Sequence, residues 1–238
     1  MSTLSYTTLT RQTGLLSEMQ VVANNIANAS TTGYRQEGVI FAEYVHNARG
    51  GPSLSMAHAS ARNISLQQGA LTQTGGQFDM AIEGPGFFLV ETDAGERLTR
   101  AGSFAASAEG DLVTPAGHRV LDNGGAPIFV PPDTTDFSIA TDGIISAAGR
   151  PLGQIGLVRP TDPTDLVREG GALFRTESGV EPVEGGRILQ GSLESSNVDP
   201  ILQVARMIEV QRAYELGQSF LDADNERLRE AMQALTRR

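Results

Sequence analysis

The chain has no lysine and no cysteine: all 18 of its cationic side chains are arginine, within 238 residues. Without lysine there is no P-loop lysine, no Schiff-base amine and no Ser-Lys dyad. Without cysteine there are no disulfides, thiol nucleophiles, iron-sulfur clusters or Cys-containing zinc sites, and the redox compartment is left open. Cationic excess is also missing, because the net charge is -10. That balance argues against a nucleic-acid backbone or an anionic membrane surface as the main partner, since both need clustered cations. No apolar run reaches the roughly 18 residues of a transmembrane helix. Residues 1–10 lack a basic segment followed by an apolar one, so no cleavable secretory signal is expected.

Catalytic motifs are equally scarce. Gly84-Pro85-Gly86 starts like a dinucleotide fingerprint, but Leu89 stands where its third glycine belongs and a strand pattern follows. His46, His58 and His118 are far apart and fit no metal-ligand spacing. Asp222, Asp224 and Glu226 lack the glycine of a calcium loop and read as a solvated helix face. There is no G-x-S-x-G elbow. Neither enzyme activity nor a cofactor nor a metal is therefore expected. A pair of carboxylates serving a glycosidase is the one chemistry that a sequence leaves open, because it does not show which acids face each other.

What is present divides into three kinds of pattern. Near the N-terminus Leu9, Leu16 and Ala23 recur every seven residues, with Met19 and Ile26 three positions on and Leu15 and Val22 beside them. This predicts a helix that Gln12 and Gly14 weaken, and that needs a partner. At the other end Met207, Tyr214, Leu221, Leu228 and Leu235 repeat every seven, with Val210, Gly217, Asp224 and Ala231 in the offset row. Asp199 before Pro200 is an N-cap followed by proline at the first helical position. Heptad helices at both ends suggest a coiled coil.

Between them, glycine at 27 of 238 residues and short β-branched or aromatic runs predict an antiparallel all-β domain. The runs are 87–91, 97–100, 111–114, 119–121, 128–130, 137–141, 144–146 and 154–159, separated by turns such as Asp122-Asn123-Gly124-Gly125 and Asp142-Gly143. The expected organisation is a mixed α and β chain. It has an N-terminal helix and extended segment over 1–45, an extended connector over 46–67, a β domain over 68–190 and a C-terminal heptad helix over 191–238.

The run Ala23-Asn24-Asn25-Ile26-Ala27-Asn28 is unusual, since asparagine is a poor helix former. Amides both donate and accept, so such a row can join one helix end to another backbone. With Thr31-Thr32-Gly33-Tyr34 this run resembles the N-terminal signature of the bacterial flagellar rod and hook proteins. The likeness continues through 68–75 (QGALTQTG), 79–88 (DMAIEGPGFF), 99–104 (TRAGSF), 110–117 (GDLVTPAG), 191–198 (GSLESSNV) and 207–215 (MIEVQRAYE). Ala29-Ser30 departs from the more usual Val-Asn. Short length and the tail 214–221 make the chain resemble the proximal-rod type more than its distal-rod sibling.

The resemblance implies a structural subunit of the rod that crosses the periplasm as a drive shaft. It implies partners among the other rod proteins, copies of itself and the flagellar export apparatus, through which such proteins leave without a cleaved signal. It also implies that the terminal helices form an inner coiled coil with the β domain outside. On that reading Leu9, Leu16, Met19, Ile26, Met207, Tyr214, Leu221 and Leu228 are expected in the helical core of the assembly. Asn24, Asn25, Asn28, Gln211 and Arg212 are expected to make polar contacts between subunits. A secreted glycan hydrolase with oligomerising helices and an adhesin-like binding module are the rival expectations.

Overall fold

The computed structural model describes residues 3–46, 54–131, 136–183 and 185–236, leaving aside the side chains of 3–6, 42–46 and 54–61. The chain is mixed α and β, with one long helix near each end and antiparallel sheets between. It divides into two compact units. One comprises Met1–Ala27, Glu37–Asn63 and Asp199–Arg238; the other comprises Asn28–Gln36 and Ile64–Val198.

The helical unit holds α1 (Thr3–Ala27) and α2 (Pro200–Thr236) with a hairpin of β1 (Glu37–His46) and β2 (Leu54–Ile64). α2 begins where the sequence places it: the Asp199 carboxylate accepts from the amides of Ile201 at 2.9 Å and Leu202 at 3.2 Å. These are donors a first helical turn leaves without partners. Within the region expected as an extended connector, Leu54–Ile64 is a strand paired with β1. The Gly50-Gly51-Pro52 run and the rest of 47–53 lie outside the described residues.

The face of α1 that meets α2 is only partly the expected one: Leu15 and Val22 of the expected stripe are buried, but its leading row is not. Gln12, Leu15, Glu18, Val21, Val22 and Asn25 are buried, whereas Leu9, Leu16 and Ala23 point outward. The polar members are accommodated because α2 supplies their partners. Gln12 Nε2 donates to the Tyr214 carbonyl and to Gln218 Oε1, each at 3.4 Å. Gly217, which breaks the offset row of α2, gives that side chain room: a Cβ there would stand 3.3 Å from Gln12 Nε2. The two apparent defects, one in each helix, therefore fill each other. Arg206 clasps Glu18 at 2.6 Å, and hydrogen bonding by Glu18 pushes its pKa up. The partners run in opposite senses along the two helices, so the pair is antiparallel.

The second unit is built on antiparallel strands. β3 (Leu71–Gln73) pairs with Ser192–Glu194, and β4 (Met80–Glu83) pairs with Arg187–Gln190. β5 (Phe87–Thr92) and β6 (Gly95–Thr99) form the centre of a nine-stranded sheet. Phe137–Ile139, Ile144–Ala147 and Arg150–Gln154 make a separate three-stranded sheet. β5 is buried on both faces. By strand alternation Phe88 and Val90 enter one core with Met80, Leu112 and Ile145, while Phe87 and Leu89 enter another with Leu98 and Phe174. The strand expected over 128–130 is reduced to isolated bridges, Asp111 with Phe129 and Leu121 with Pro127.

Candidate assembly surface and the arginine clasp

Most of the resemblance-bearing motifs of the β unit meet at one buried cluster. Gly33 follows the two threonines after α1 and has a φ of +67°. A Cβ at Gly33 would stand 2.3 Å from the Arg100 carbonyl carbon and the Ala101 amide, so only glycine lets the turn lie on that strand end. The next residue, Tyr34, is buried under Arg168, whose guanidinium stands 4.0 Å from the ring centroid. Arg35 then pairs with Glu194 at 2.9 Å, and Arg100 approaches the other Glu194 oxygen at 3.2 Å.

Backbone groups complete the clasp. Glu194 Oε1 accepts from the Gly69 amide at 2.9 Å, and its carbonyl accepts from the Gly33 amide at 2.7 Å. Gly69 is pressed against the Ser195 carbonyl oxygen, 2.0 Å from where a Cβ would be. Arg35 donates to the Gln67 carbonyl, and Arg100 donates to the Gly84 carbonyl at 2.8 Å. Asn197 closes the end: its Oδ1 accepts from the Gln36 amide at 2.6 Å and its Nδ2 donates to the Gln67 carbonyl at 2.7 Å. The segments 33–36, 67–69, 99–101 and 194–197, distant in sequence, are thus tied at one carboxylate. Burial pushes the Arg100 pKa down to about 10, with Glu194 opposing and Arg35 reinforcing. Arg35 is lowered by the same desolvation, again opposed by Glu194. Two buried cations against one buried anion leave Glu194 as the group on which both depend.

The expected interface residues fall into three groups. Leu9, Leu16, Asn24, Gln211, Arg212 and Leu228 are exposed, and Gln211 spans one turn to Glu215 at 3.1 Å. Met19, Ile26, Met207, Tyr214 and Leu221 are half-buried. Asn25 is buried and its amide is used inside the chain, donating to the Glu37 carbonyl at 2.8 Å and Gln203 Oε1 at 3.2 Å and accepting from the Glu37 amide at 3.0 Å. It fastens β1 to α1 and α2 within one molecule. Asn28, half-buried, shapes the turn after α1, its carbonyl accepting from the Thr31 amide at 3.1 Å. Arg35, Arg100, Glu194, Gln203 and Asn197 make the contacts described above and were not singled out from the sequence.

Among the described residues no helix is long and apolar enough to cross a membrane, and no group of His, Asp and Glu is arranged to hold a metal ion. A half-open pocket of 570 Å³ in the β unit is lined by Thr31, Thr32, His118 and Glu169 among largely apolar neighbours. Glu169 is occupied by Arg97 and Arg175.

Family models match along most of this architecture. A model described as flagella basal body rod protein covers residues 6–35, one for the flagellar hook protein FlgE/F/G D1 domain covers 81–147, and one for the flagellar basal body rod FlgEFG protein C-terminal covers 189–234. The chain is 40% identical to the flagellar basal-body rod protein FlgF of Caulobacter vibrioides, over 97% of this chain and 96% of the relative. It belongs to the flagellar basal-body rod protein family. The FlgF protein of Mesorhizobium japonicum is 37% identical over 88% of each chain. The FlgG protein of Bacillus subtilis is 33% identical over 90% of this chain and 91% of its own. In this rod-family chain the first and last matched segments contain most of α1 with the Gly33 turn, and Glu194 with most of α2.

Proposed function

We infer that the chain is a structural subunit of the proximal part of the flagellar rod, without enzymatic activity, which polymerises through its terminal helices. The observation that carries this reading is the character of α1. Between Thr3 and Ala27 its only charged residues are Arg11 and Glu18, and Glu18 is taken by Arg206. A helix face meant for water ordinarily carries charge; this one presents Leu9, Leu16, Ala23 and asparagine outward. Burial of that face by neighbours, in a coiled coil with terminal helices of other subunits, gives a helical array by heterologous contacts and so a shaft able to transmit torque.

The proximal-rod assignment rests on FlgF relatives, with the FlgG type as the alternative. Its partners are then copies of itself, adjoining rod proteins and the export apparatus that delivers it without a cleaved signal, and its place is the periplasmic part of the basal body. A glycan hydrolase would need converging free carboxylates. The buried acids Glu18, Glu37 and Glu194 are instead each held by arginine, at 2.6, 3.2 and 2.9 Å. Basal bodies isolated from the source bacterium and probed with antibody against this chain test the reading. Antibody label on the rod is expected; a chain found only in soluble fractions, or purified chain that hydrolyses peptidoglycan, overturns it.

A further inference from the structure

The face of α2 that holds α1 continues past the point where α1 begins. Asn25 meets Gln203, Glu18 meets Arg206 and Gln12 meets Tyr214 and Gln218. At equal rise along both helices, Thr3 lies level with about residue 224 of α2. Met207, Tyr214 and Leu221 are half-buried along the α1-facing row, whereas every residue from 225 to 236 is exposed. Leu228 and Leu235 continue the row at the same seven-residue spacing, 47% and 75% exposed, with Met232 between them at 61%. This is about 18 Å of helix carrying an apolar stripe.

The helical unit also carries a surface that fits it. Leu9 and Leu16 point outward, 44% and 43% exposed, and are seven residues apart like Leu228 and Leu235. We propose that the overhanging segment Asn225–Thr236 of one copy docks against the outward Leu9–Leu16 row of a second copy. The occupant is argued from continuity, because the same α2 row already grips the opposite face of an α1, and a second α1 offers an uncharged row of matching period. Donor and acceptor lie on different parts of the chain. A one-way contact therefore leaves one of each unused, and the contacts propagate from copy to copy where the rotation between copies does not close a ring. This proposal rests on the rod reading and adds to it which surfaces meet.

The natural absence of cysteine makes the test clean. The full-length chain carrying Leu16→Cys and Leu228→Cys replaces the wild type in the source bacterium, and isolated basal bodies are oxidised and run without reductant. Within one molecule position 16 lies level with about residue 211, so the two thiols are separated by about 25 Å and cannot join intramolecularly. A ladder of covalent dimers, trimers and higher species is expected, at least about ten-fold above either single-cysteine chain, whose one thiol cannot form the 16–228 bond. Adding Leu235→Glu, at an exposed position, is expected to remove the ladder while the circular dichroism of the purified chain is unchanged. Basal bodies that contain the double-cysteine chain without a ladder overturn this docking and leave the rod reading intact. Absence of the wild-type chain from basal bodies overturns both.

Discussion

Replacing Glu194 by glutamine changes almost no volume and keeps an acceptor for the Gly69 amide, yet it removes the one anion between Arg35 and Arg100. All three side chains are essentially inaccessible, at 1–2% exposure, so water does not take over the lost charge. Breaking a buried ion pair from one side costs about 3–5 kcal/mol, and the retained hydrogen bond places Glu194→Gln near the lower end. For a unit of this size, each kcal/mol shifts the midpoint by about 3 °C, so Tm should fall by about 10 °C. The readout is thermal unfolding followed by near-UV circular dichroism, to which the buried Tyr34 contributes. Adding Arg100→Met to Glu194→Gln removes one of the two cations left without an anion. The double variant should be less destabilised than the sum of the singles by about 0.5–3 kcal/mol, the coupling expected of groups in contact. A Glu194→Gln chain within about 1 kcal/mol of the wild type, with additive singles, would refute the clasp.

Gly33→Ala should destabilise the β unit by more than about 1 kcal/mol, because both the positive φ and the adjacent Arg100 backbone forbid a side chain; urea denaturation measures it. Asn25→Ala leaves the Glu37 amide and carbonyl without their side-chain partner and should cost about 1–3 kcal/mol, read as faster hydrogen exchange across α1 and β1. A fragment over 28–198 should unfold cooperatively, whereas 68–190, which lacks Glu194 and Arg35, should be markedly less stable although it holds the main sheet. Hydrogen bonds from Thr176, and from Ser178 and Glu177, hold the Asp165 pKa below its ordinary 3.8. A depressed carboxylate stabilises the turn above 3.8 and loses that contribution as pH falls through its folded value. Amide protection at Glu177 and Ser178 should therefore persist to about pH 3.8 and fade below it, and Asp165→Asn should abolish the dependence.

The helices and the β middle were legible because periodicity and turn chemistry are local. Asp199-Pro200 announced α2, and Phe87 to Glu91 announced β5. The buried face of α1 was not legible, since Gln12, Glu18 and Asn25 look like solvent positions until Gly217, Arg206 and Gln203 are set against them. The same applies to the clasp. Arg35, Arg100 and Glu194 stand 65 or more residues apart, and no local pattern joins them. The signal that could have found them lay in the quoted motifs around Gly33, Gly69, Gly84, Arg100 and Glu194, each of which contributes a residue or a backbone contact to the cluster. The extended chain of β1 and β2 was expected but not their pairing, because their central residues alternate weakly and the stretch before Leu54 is rich in glycine and serine.

That this chain is a structural subunit of the flagellar rod is tested most directly by deleting its gene and imaging the basal bodies by electron cryomicroscopy. Rods should be absent or stop short of their full length, with motility lost, and the wild-type gene should restore both. Complete rods in motile cells that lack the chain would contradict the account.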